Sequence, residues 1–286
     1  MPELPEVETT RRGIEPGVVG QTLTDFTVHN PSLRWPVNLP AALRGARVQS
    51  LYRRAKYIIV ETAAGSVILH LGMSGSLRWA QPDAPRLTHD HVEFVFADRV
   101  LRFNDPRRFG CVLYVAGDAH EHALLRNLGV EPLENEFNGE YLFTLSRRRK
   151  VAVKNFIMDG KIVVGVGNIY AAESLFMAGI RPGIAAHRVT RAGYEMLSAA
   201  IRQVLADAVR QGGTTLRDFV GSDGKPGYFK QQLYVYGRDG QVCRVCGQLL
   251  KLKTLGQRST VYCTQCQSAS GFRSLAQRQV EHPTNA

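Results

Sequence analysis

The sequence predicts an α+β protein of two domains. An N-terminal antiparallel β-sandwich or barrel with flanking helices precedes a helical domain closed by a metal-binding hairpin. Three observations carry the prediction. Between residues 22 and 115, short β-branched and aromatic runs are separated by turn signals such as Ala64-Gly65 and Ala97-Asp98. Beyond about residue 150, apolar residues recur at helical spacing. Four of the five cysteines fall as Cys243-x2-Cys246, sixteen residues, then Cys263-x2-Cys266.

At 286 residues the chain is long enough for two domains, each with its own core. Lysines and arginines number 36 against 25 acidic residues, a net charge of +11 and a pI near 9.7. That excess points to a polyanionic partner, of which nucleic acid is the commonest. No apolar run of the roughly 18 residues needed to span a bilayer occurs, and the start lacks a charged-then-apolar leader. These features predict a soluble, cytoplasmic protein with no membrane partner.

In order, a helix is expected from about Pro5 to Ile14, broken by Gly17 and Gly20. The β segments follow at 22–28, 47–55, 57–62, 66–73, 91–96, 100–104 and 110–115. A helix over His120–Leu128 ends at Gly129. The polar stretch 131–137, with Pro132, reads as an interdomain linker. Ile169, Ala172 and Phe176 share a helical face that Gly179 stops. Thr190 caps a long helix with the stripe Leu197, Ile201, Val204, Leu205 and Ala208, ended by Gly212-Gly213. Residues 222–228 are glycine-rich and read as a mobile loop. The resulting division is a β-sandwich domain 1–130, a linker and first helix 131–150, a helical domain 151–235, a four-cysteine finger 236–270, and a flexible tail 271–286.

The chemistry starts at Pro2. Proline is small enough for Met1 to be removed, leaving a secondary α-amine. Such an amine titrates near ~8, against about 10 for lysine, and is substantially neutral at physiological pH. Attack on a sugar or carbonyl carbon gives an iminium with no further proton to lose, and that cation eases elimination from its neighbours. Glu3 stands beside it as a proton donor or acceptor. The bland alternative is a frayed terminus, with Pro5 in a first helical turn and Glu6 and Glu8 favouring the positive end of its dipole.

Other stretches point to an anionic polymer. Gly165-Val166-Gly167-Asn168 places glycines before a helix, where backbone N–H groups suit a phosphate, although Asn168 could be a simple cap. Arg147 to Lys150 with Lys154 forms a basic cluster, either a solvated face or an anion site. Asp105-Pro106-Arg107-Arg108-Phe109-Gly110 reads as a tight loop whose Phe109 either folds into the core or wedges into a base stack. The cysteine spacing is that of a four-thiolate zinc site rather than two disulfides, which a cytosolic setting disfavours. With every ligand a protein thiolate, the ion is structural. Zinc ribbons often serve only as staples, but Lys251, Lys253 and Arg258 between the pairs fit a reader of nucleic-acid backbone or groove. Cys111, in an apolar run, reads as a buried small hydrophobe.

Taken together, Pro-Glu-Leu-Pro-Glu-Val-Glu at 2–8, Arg-Arg-Ala-Lys-Tyr at 53–57 and His-Leu-Gly-Met-Ser-Gly at 70–75 resemble the formamidopyrimidine-DNA glycosylase family. So do Asp-Pro-Arg-Arg-Phe-Gly at 105–110, Gly-Val-Gly-Asn-Ile-Tyr at 165–170 and the four-cysteine finger. The resemblance implies a β-sandwich domain, a helix-two-turn-helix domain and a zinc finger. It implies a monomeric base-excision enzyme that removes 8-oxoguanine and formamidopyrimidines from double-stranded DNA and cleaves the abasic site by β,δ-elimination. Pro2 is then the nucleophile, Glu3 the acid–base partner, Lys56 a phosphate contact assisting the lyase steps, and Arg258 part of the same machinery. Met73, Arg107 and Phe109 fill the gap left by the flipped nucleotide. Lys154 and Asn168 grip phosphates, with His70, His89, Arg108 and Tyr236 as further DNA contacts. Ser222, Lys225 and Tyr228 belong to a lid over the base. Two rivals are the sister family endonuclease VIII, against which Leu4 and the Arg-Arg-Phe loop argue, and a non-enzymatic zinc DNA-binding protein. The tail after Cys266 is longer than the family usually has.

Overall fold

The computed structural model describes residues 2–213 and 233–268. The chain divides into two compact units: of the described residues, 2–127 with 208–213 form one, and 128–207 with 233–268 the other.

Helix α1 (Leu4–Val18) opens the first unit, with Glu3 as N-cap, a capping box to Glu6 and Pro5 in the first turn. It runs past the expected stop because Leu4, Val7, Ile14 and Val18 keep one buried face. Gly17 is a packing position rather than a break. A Cβ there would lie 2.6 Å from the Trp79 ring and 2.8 Å from the Arg99 guanidinium.

Nine strands follow among the described residues of this unit: β1 (Thr22–Leu23), β2 (Asp25–Val28), β3 (Ala46–Arg54), β4 (Tyr57–Thr62), β5 (Gly65–His70), β6 (Ser76–Ala80), β7 (Asp90–Val95), β8 (Val100–Asn104) and β9 (Cys111–Val115). They build two antiparallel sheets, ordered β1-β3-β4-β5-β9 and β2-β7-β8-β6. Both sheets and α1 bury side chains in one core, including Ile14, Leu51, Ile58, Leu69, Leu77, Phe94 and Phe103. Each such fully buried side chain contributes roughly 1.5–3 kcal/mol.

Two differences from the sequence-based expectation have local causes. The single run expected over 22–28 splits at Thr24, whose N–H and hydroxyl both donate to the Val95 carbonyl as the chain crosses between sheets. The helix expected over 120–128 is only a 3-10 turn at Ala119–Glu121. There Asp118 caps His120, and the His122 ring takes the Leu124 N–H that a helix would need for its own ladder.

The second unit holds α2 (Gly139–Ser146), α3 (Val153–Ile157), α4 (Asn168–Met177) and most of α5 (Arg191–Arg210), then the hairpin β10 (Lys251–Leu255) and β11 (Arg258–Tyr262). Thr190 accepts the Gly193 N–H at the head of α5, whose buried stripe is Leu197, Ile201, Val204, Leu205 and Ala208. Ala172 and Phe176 of α4 share a core with Val235, Leu250, Val261 and the cysteines, so the hairpin is packed onto the helices. Among the described residues, no helix is long and apolar enough to cross a membrane.

Candidate functional site

Pro2 and Glu3 are both buried at the head of α1. The Glu3 N–H donates to the Glu6 carboxylate at 2.8 Å, which fixes the entry of the chain into the helix. One turn later, Glu8 pairs with Arg11 at 3.0 Å, Arg12 at 2.8 Å and Arg53 at 3.2 Å. Burial alone would push the Glu8 carboxyl up; hydrogen bonds and charge from the three arginines outweigh it and hold the group below its ordinary value. Arg53 also donates to the Ala55 carbonyl at 2.9 Å. Ala55 has φ of 56°, a left-handed conformation that turns β3 into β4 and presents half-exposed Lys56. The N-terminal motif and the turn carrying Lys56 are therefore tied through one carboxylate.

A second constellation joins the turn at 70–75 to the loop at 105–110. Asp105 is fully buried; one carboxylate oxygen accepts from the Ser74 hydroxyl at 2.9 Å and the Arg107 N–H at 3.3 Å, the other from the Gly110 N–H at 2.8 Å. Its carbonyl accepts from the Arg108 N–H, and the His91 ring lies 2.9 Å from the same oxygen. Gly72, at φ of +61°, faces the backbone of Phe109 and Gly110 so closely that any Cβ would clash. Gly110 leaves no more room, since a Cβ there would stand 2.5 Å from the His70 carbonyl. Met73 is half-exposed on one turn, while Arg107, Arg108 and Phe109 are exposed on the other. The Arg107 guanidinium lies 5.0 Å from the Phe109 ring centre. Arg108 takes the left-handed conformation, φ 56°. His89 is exposed, and its carbonyl accepts the Asp105 N–H.

His70 ends β5, its Nδ1 accepting the Gly72 N–H at 3.0 Å and its ring 4.8 Å from that of Tyr57. Burial, then the charges of Lys56 and Arg34, hold the imidazole down at about 4, so it is neutral at physiological pH. Cys111, its partner in β9, is buried and remains a thiol, pushed up to about 12 by burial.

In the second unit, Lys154 is completely buried. Its ammonium donates to Asn168 Oδ1 at 2.5 Å, Thr260 Oγ1 at 2.7 Å and the Ser259 carbonyl at 3.3 Å. Asn168 is the first residue of α4, Gly167 being the N-cap, and its amide donates to Ser259 at 3.2 Å. The alternative reading of Asn168 as a simple cap does not hold: its side chain fastens the head of α4 to the hairpin. Arg258 is exposed at the start of β11. Buried Glu173 accepts the successive N–H groups of Tyr234, Val235 and Tyr236 at 2.7–2.9 Å, which sets the backbone that carries half-exposed Tyr236. Burial still raises Glu173 above its ordinary value.

Cys243, Cys246, Cys263 and Cys266 converge, with all four sulfurs within 4.8 Å of one another. Cys243 lies 3.8 Å from Cys266, and Cys246 lies 3.5 Å from Cys263. A tetrahedral zinc with sulfur at about 2.3 Å needs sulfur–sulfur edges of about 3.8 Å, so the cluster fits one structural zinc ion. Because all four positions are thiolates, the ion is a staple for the hairpin.

Sequence reasoning does not single out Asp105, Ser74, Glu8 or Glu173 as organisers. Asp105 and Ser74 do sit inside the motifs that carry the resemblance, where an Asp-Pro turn signal and a serine between glycines are the available cues. Ser222, Lys225 and Tyr228 lie outside the described residues.

The sequence matches three family patterns: the Formamidopyrimidine-DNA glycosylase N-terminal domain over residues 1–112, the Formamidopyrimidine-DNA glycosylase H2TH domain over 128–220, and the Zinc finger found in FPG and IleRS over 240–269. It is 58% identical over 269 residues to a formamidopyrimidine-DNA glycosylase of Alcanivorax borkumensis, covering 93% of this chain and 100% of that one. A relative of the same name from Cellvibrio japonicus is 55% identical with the same coverage. Among solved structures, a variant of Lactococcus lactis FPG in complex with Fapy-dG-containing DNA superposes with a TM-score of 0.87. That protein is 32% identical, and the match covers 93% of this chain and 100% of that one.

Proposed function

The chain belongs to the formamidopyrimidine-DNA glycosylase family, and from that premise we propose how its own residues excise an oxidised purine. It is a base-excision-repair glycosylase and abasic-site lyase for 8-oxoguanine and formamidopyrimidines. The observation that carries the residue assignments is Pro2-Glu3 buried at the head of α1, with Glu8 of the same motif tying down the turn of Lys56.

The damaged nucleotide leaves the duplex, because a protein amine cannot reach C1′ within the stack. With Met1 removed, the Pro2 nitrogen attacks C1′ and the base departs with the glycosidic electron pair. Glu3 protonates the ribose oxygen as the ring opens, leaving a covalent iminium. The iminium acidifies the C2′ proton; its loss expels the 3′ phosphate, and a second elimination expels the 5′ phosphate. Lys56 contacts phosphate and assists these steps. Met73, Arg107 and Phe109 occupy the space the nucleotide vacates, with His70, His89 and Arg108 at neighbouring DNA positions. In the second unit, Asn168, Arg258 and Tyr236 take phosphates, and buried Lys154 raises the positive potential behind Asn168. Ser222, Lys225 and Tyr228 belong to the lid over the base. Residues 1–130 act as the catalytic domain, 151–235 and the finger 236–270 as the DNA grip, and the enzyme works as a cytoplasmic monomer.

Borohydride present during turnover should freeze the iminium as a protein–DNA adduct, and mass spectrometry should find the sugar remnant on Pro2. An adduct on Lys56 instead would sink the assignment. No adduct at all would favour a DNA-binding protein without the chemistry.

A further inference from the structure

We propose that a cavity of about 390 Å³ on the second unit is an additional phosphate-ester site, taking a phosphodiester of the bound DNA beyond those held by Asn168 and Arg258. The inference rests on the reading of the chain as a DNA enzyme. The cavity lies where the segment 181–188 faces the zinc hairpin, and among the described residues its charged lining is Arg181, Arg188 and Lys253, with no acidic residue. Among the described residues, none of these three makes an ion pair. Three like charges around one concavity repel one another unless an anion enters.

The cations are not equally loose. Arg181 Nε donates to the Gln267 carbonyl at 3.2 Å, and one terminal nitrogen donates to the Thr264 carbonyl at 3.1 Å. A guanidinium has five N–H donors, so the finger backbone fixes its plane while leaving three for a ligand. An oriented fork loses little freedom when it meets a phosphate, which is the property that favours arginine at such sites. Arg188 and Lys253 are exposed at the rim and supply adjustable charge.

Register connects the cavity to the hairpin's DNA-facing residue. Leu255 lies opposite Arg258 and Lys253 opposite Thr260, and directly opposed residues project to the same face. Lys253 therefore shares the face of Arg258, displaced by two residues, about 7 Å along the hairpin. A strand whose phosphate meets Arg258 has its neighbouring phosphates within reach of the cavity. The remaining walls, including Ile184, Leu255 and the Tyr262 ring, are suited to a sugar rather than to a bare inorganic ion. The volume falls within the range of roughly 300–1,000 Å³ typical of small-ligand pockets.

The test uses the full-length, zinc-loaded protein carrying Arg188→Gln and Lys253→Gln together. Arg181 is spared because it also holds the finger. Affinity for an undamaged duplex of about 30 base pairs is measured between roughly 50 and 200 mM salt, and calorimetry with 5′-dAMP runs in parallel. Losing one phosphate contact should make the slope of log K against log salt shallower by about 0.9. Loss of 5′-dAMP binding with an unchanged slope would keep the site but assign it to a free nucleotide. An unchanged slope with no difference towards 5′-dAMP overturns the proposal. If the double variant loses zinc or its fold, Arg188→Gln alone carries the same test. Failure of borohydride trapping in the unsubstituted protein would fail the underlying reading, whereas intact trapping with unchanged slopes fails the cavity alone.

Discussion

Asp105→Asn changes one heavy atom of a fully buried group, and it should still cost both stability and fidelity. The carboxylate serves three donors: Ser74 Oγ and the Arg107 N–H on one oxygen, the Gly110 N–H on the other. An amide keeps one acceptor and turns the other into a donor. The least costly orientation keeps the oxygen on Gly110, whose bond is 2.8 Å and buried, and points the NH2 at Ser74 and Arg107. Serine can rotate to accept; the Arg107 N–H cannot, and loses its partner. A buried unsatisfied donor costs about 1–3 kcal/mol. The Arg107 bond is long and near the surface, so the lower half of that range, about 1–2 kcal/mol, is expected in urea unfolding. The same loss of anchoring frees the loop that holds Arg107 and Phe109. Single-turnover excision of 8-oxoguanine opposite cytosine should therefore slow by about tenfold, and the cytosine-over-adenine ratio should shrink. Phe109→Ala is the control for the loop itself. If Phe109→Ala impairs excision while Asp105→Asn leaves stability, rate and ratio intact, Asp105 does not position the loop.

Three further outcomes are expected. Cytosine opposite the lesion offers adjacent acceptors at O2 and N3, whereas adenine sets a donor beside its acceptor, so Arg107→Ala should compress the cytosine-to-adenine excision ratio towards one and Arg108→Ala should not. A ratio that survives Arg107→Ala would move discrimination to another residue. Cys246→Ser should release zinc and abolish DNA binding while the near-ultraviolet signal of the first unit persists; full affinity without zinc would contradict it. His70 sits at about 4 in the folded protein against 6.5 when free, so the unfolded chain takes up the proton first. Stability should then fall as pH drops from about 6.5 to 4, by roughly 2–3 kcal/mol after allowance for solvent screening, and His70→Gln should flatten that dependence in urea titrations.

Much of the architecture was legible because it rests on local signals. β-Branched and aromatic runs such as Val100–Asn104 give strands, and the Thr190 cap with Gly212-Gly213 brackets the long helix. The cysteine spacing marks the cluster that the sulfurs form. Signals that depend on a distant partner were not legible. Gly17 looks like a helix stop until Trp79 is packed against it. Residues 120–128 look helical until the His122 ring takes a backbone N–H. Lys154 reads as one of a surface cluster of cations, yet the fold encloses it beneath Thr260, more than a hundred positions away in the chain. The site residues carried over by resemblance have the exposure that direct DNA contacts need at Arg107, Phe109 and Arg258, whereas Pro2, Glu3 and Lys154 are buried.

The residues that aim this machinery are of one chemical kind. Glu8, Asp105 and Glu173 are carboxylates, shielded from solvent, that accept from arginines or from runs of backbone N–H groups. Each holds a stretch that presents a cationic or aromatic side chain: half-exposed Lys56, exposed Arg107 with Phe109, and half-exposed Tyr236. A protein of net charge +11 that meets a polyanion has a physical reason for this arrangement. A carboxylate on the contact face would repel phosphate, so the negative groups that orient the loops are withdrawn below it. Burying a charge costs several kcal/mol unless it is paired or fully hydrogen-bonded. Glu8 meets that condition with guanidinia, Asp105 with the Ser74 hydroxyl and the Arg107 and Gly110 amides, and Glu173 with three successive amides. The same desolvation makes each bond directional and strong, since charge-assisted hydrogen bonds are roughly twice as strong as neutral ones. Replacing Glu8 by Gln should therefore weaken the turn of Lys56 through Arg53 rather than through lost surface charge. That effect should persist at high salt, where the phosphate contacts themselves are screened.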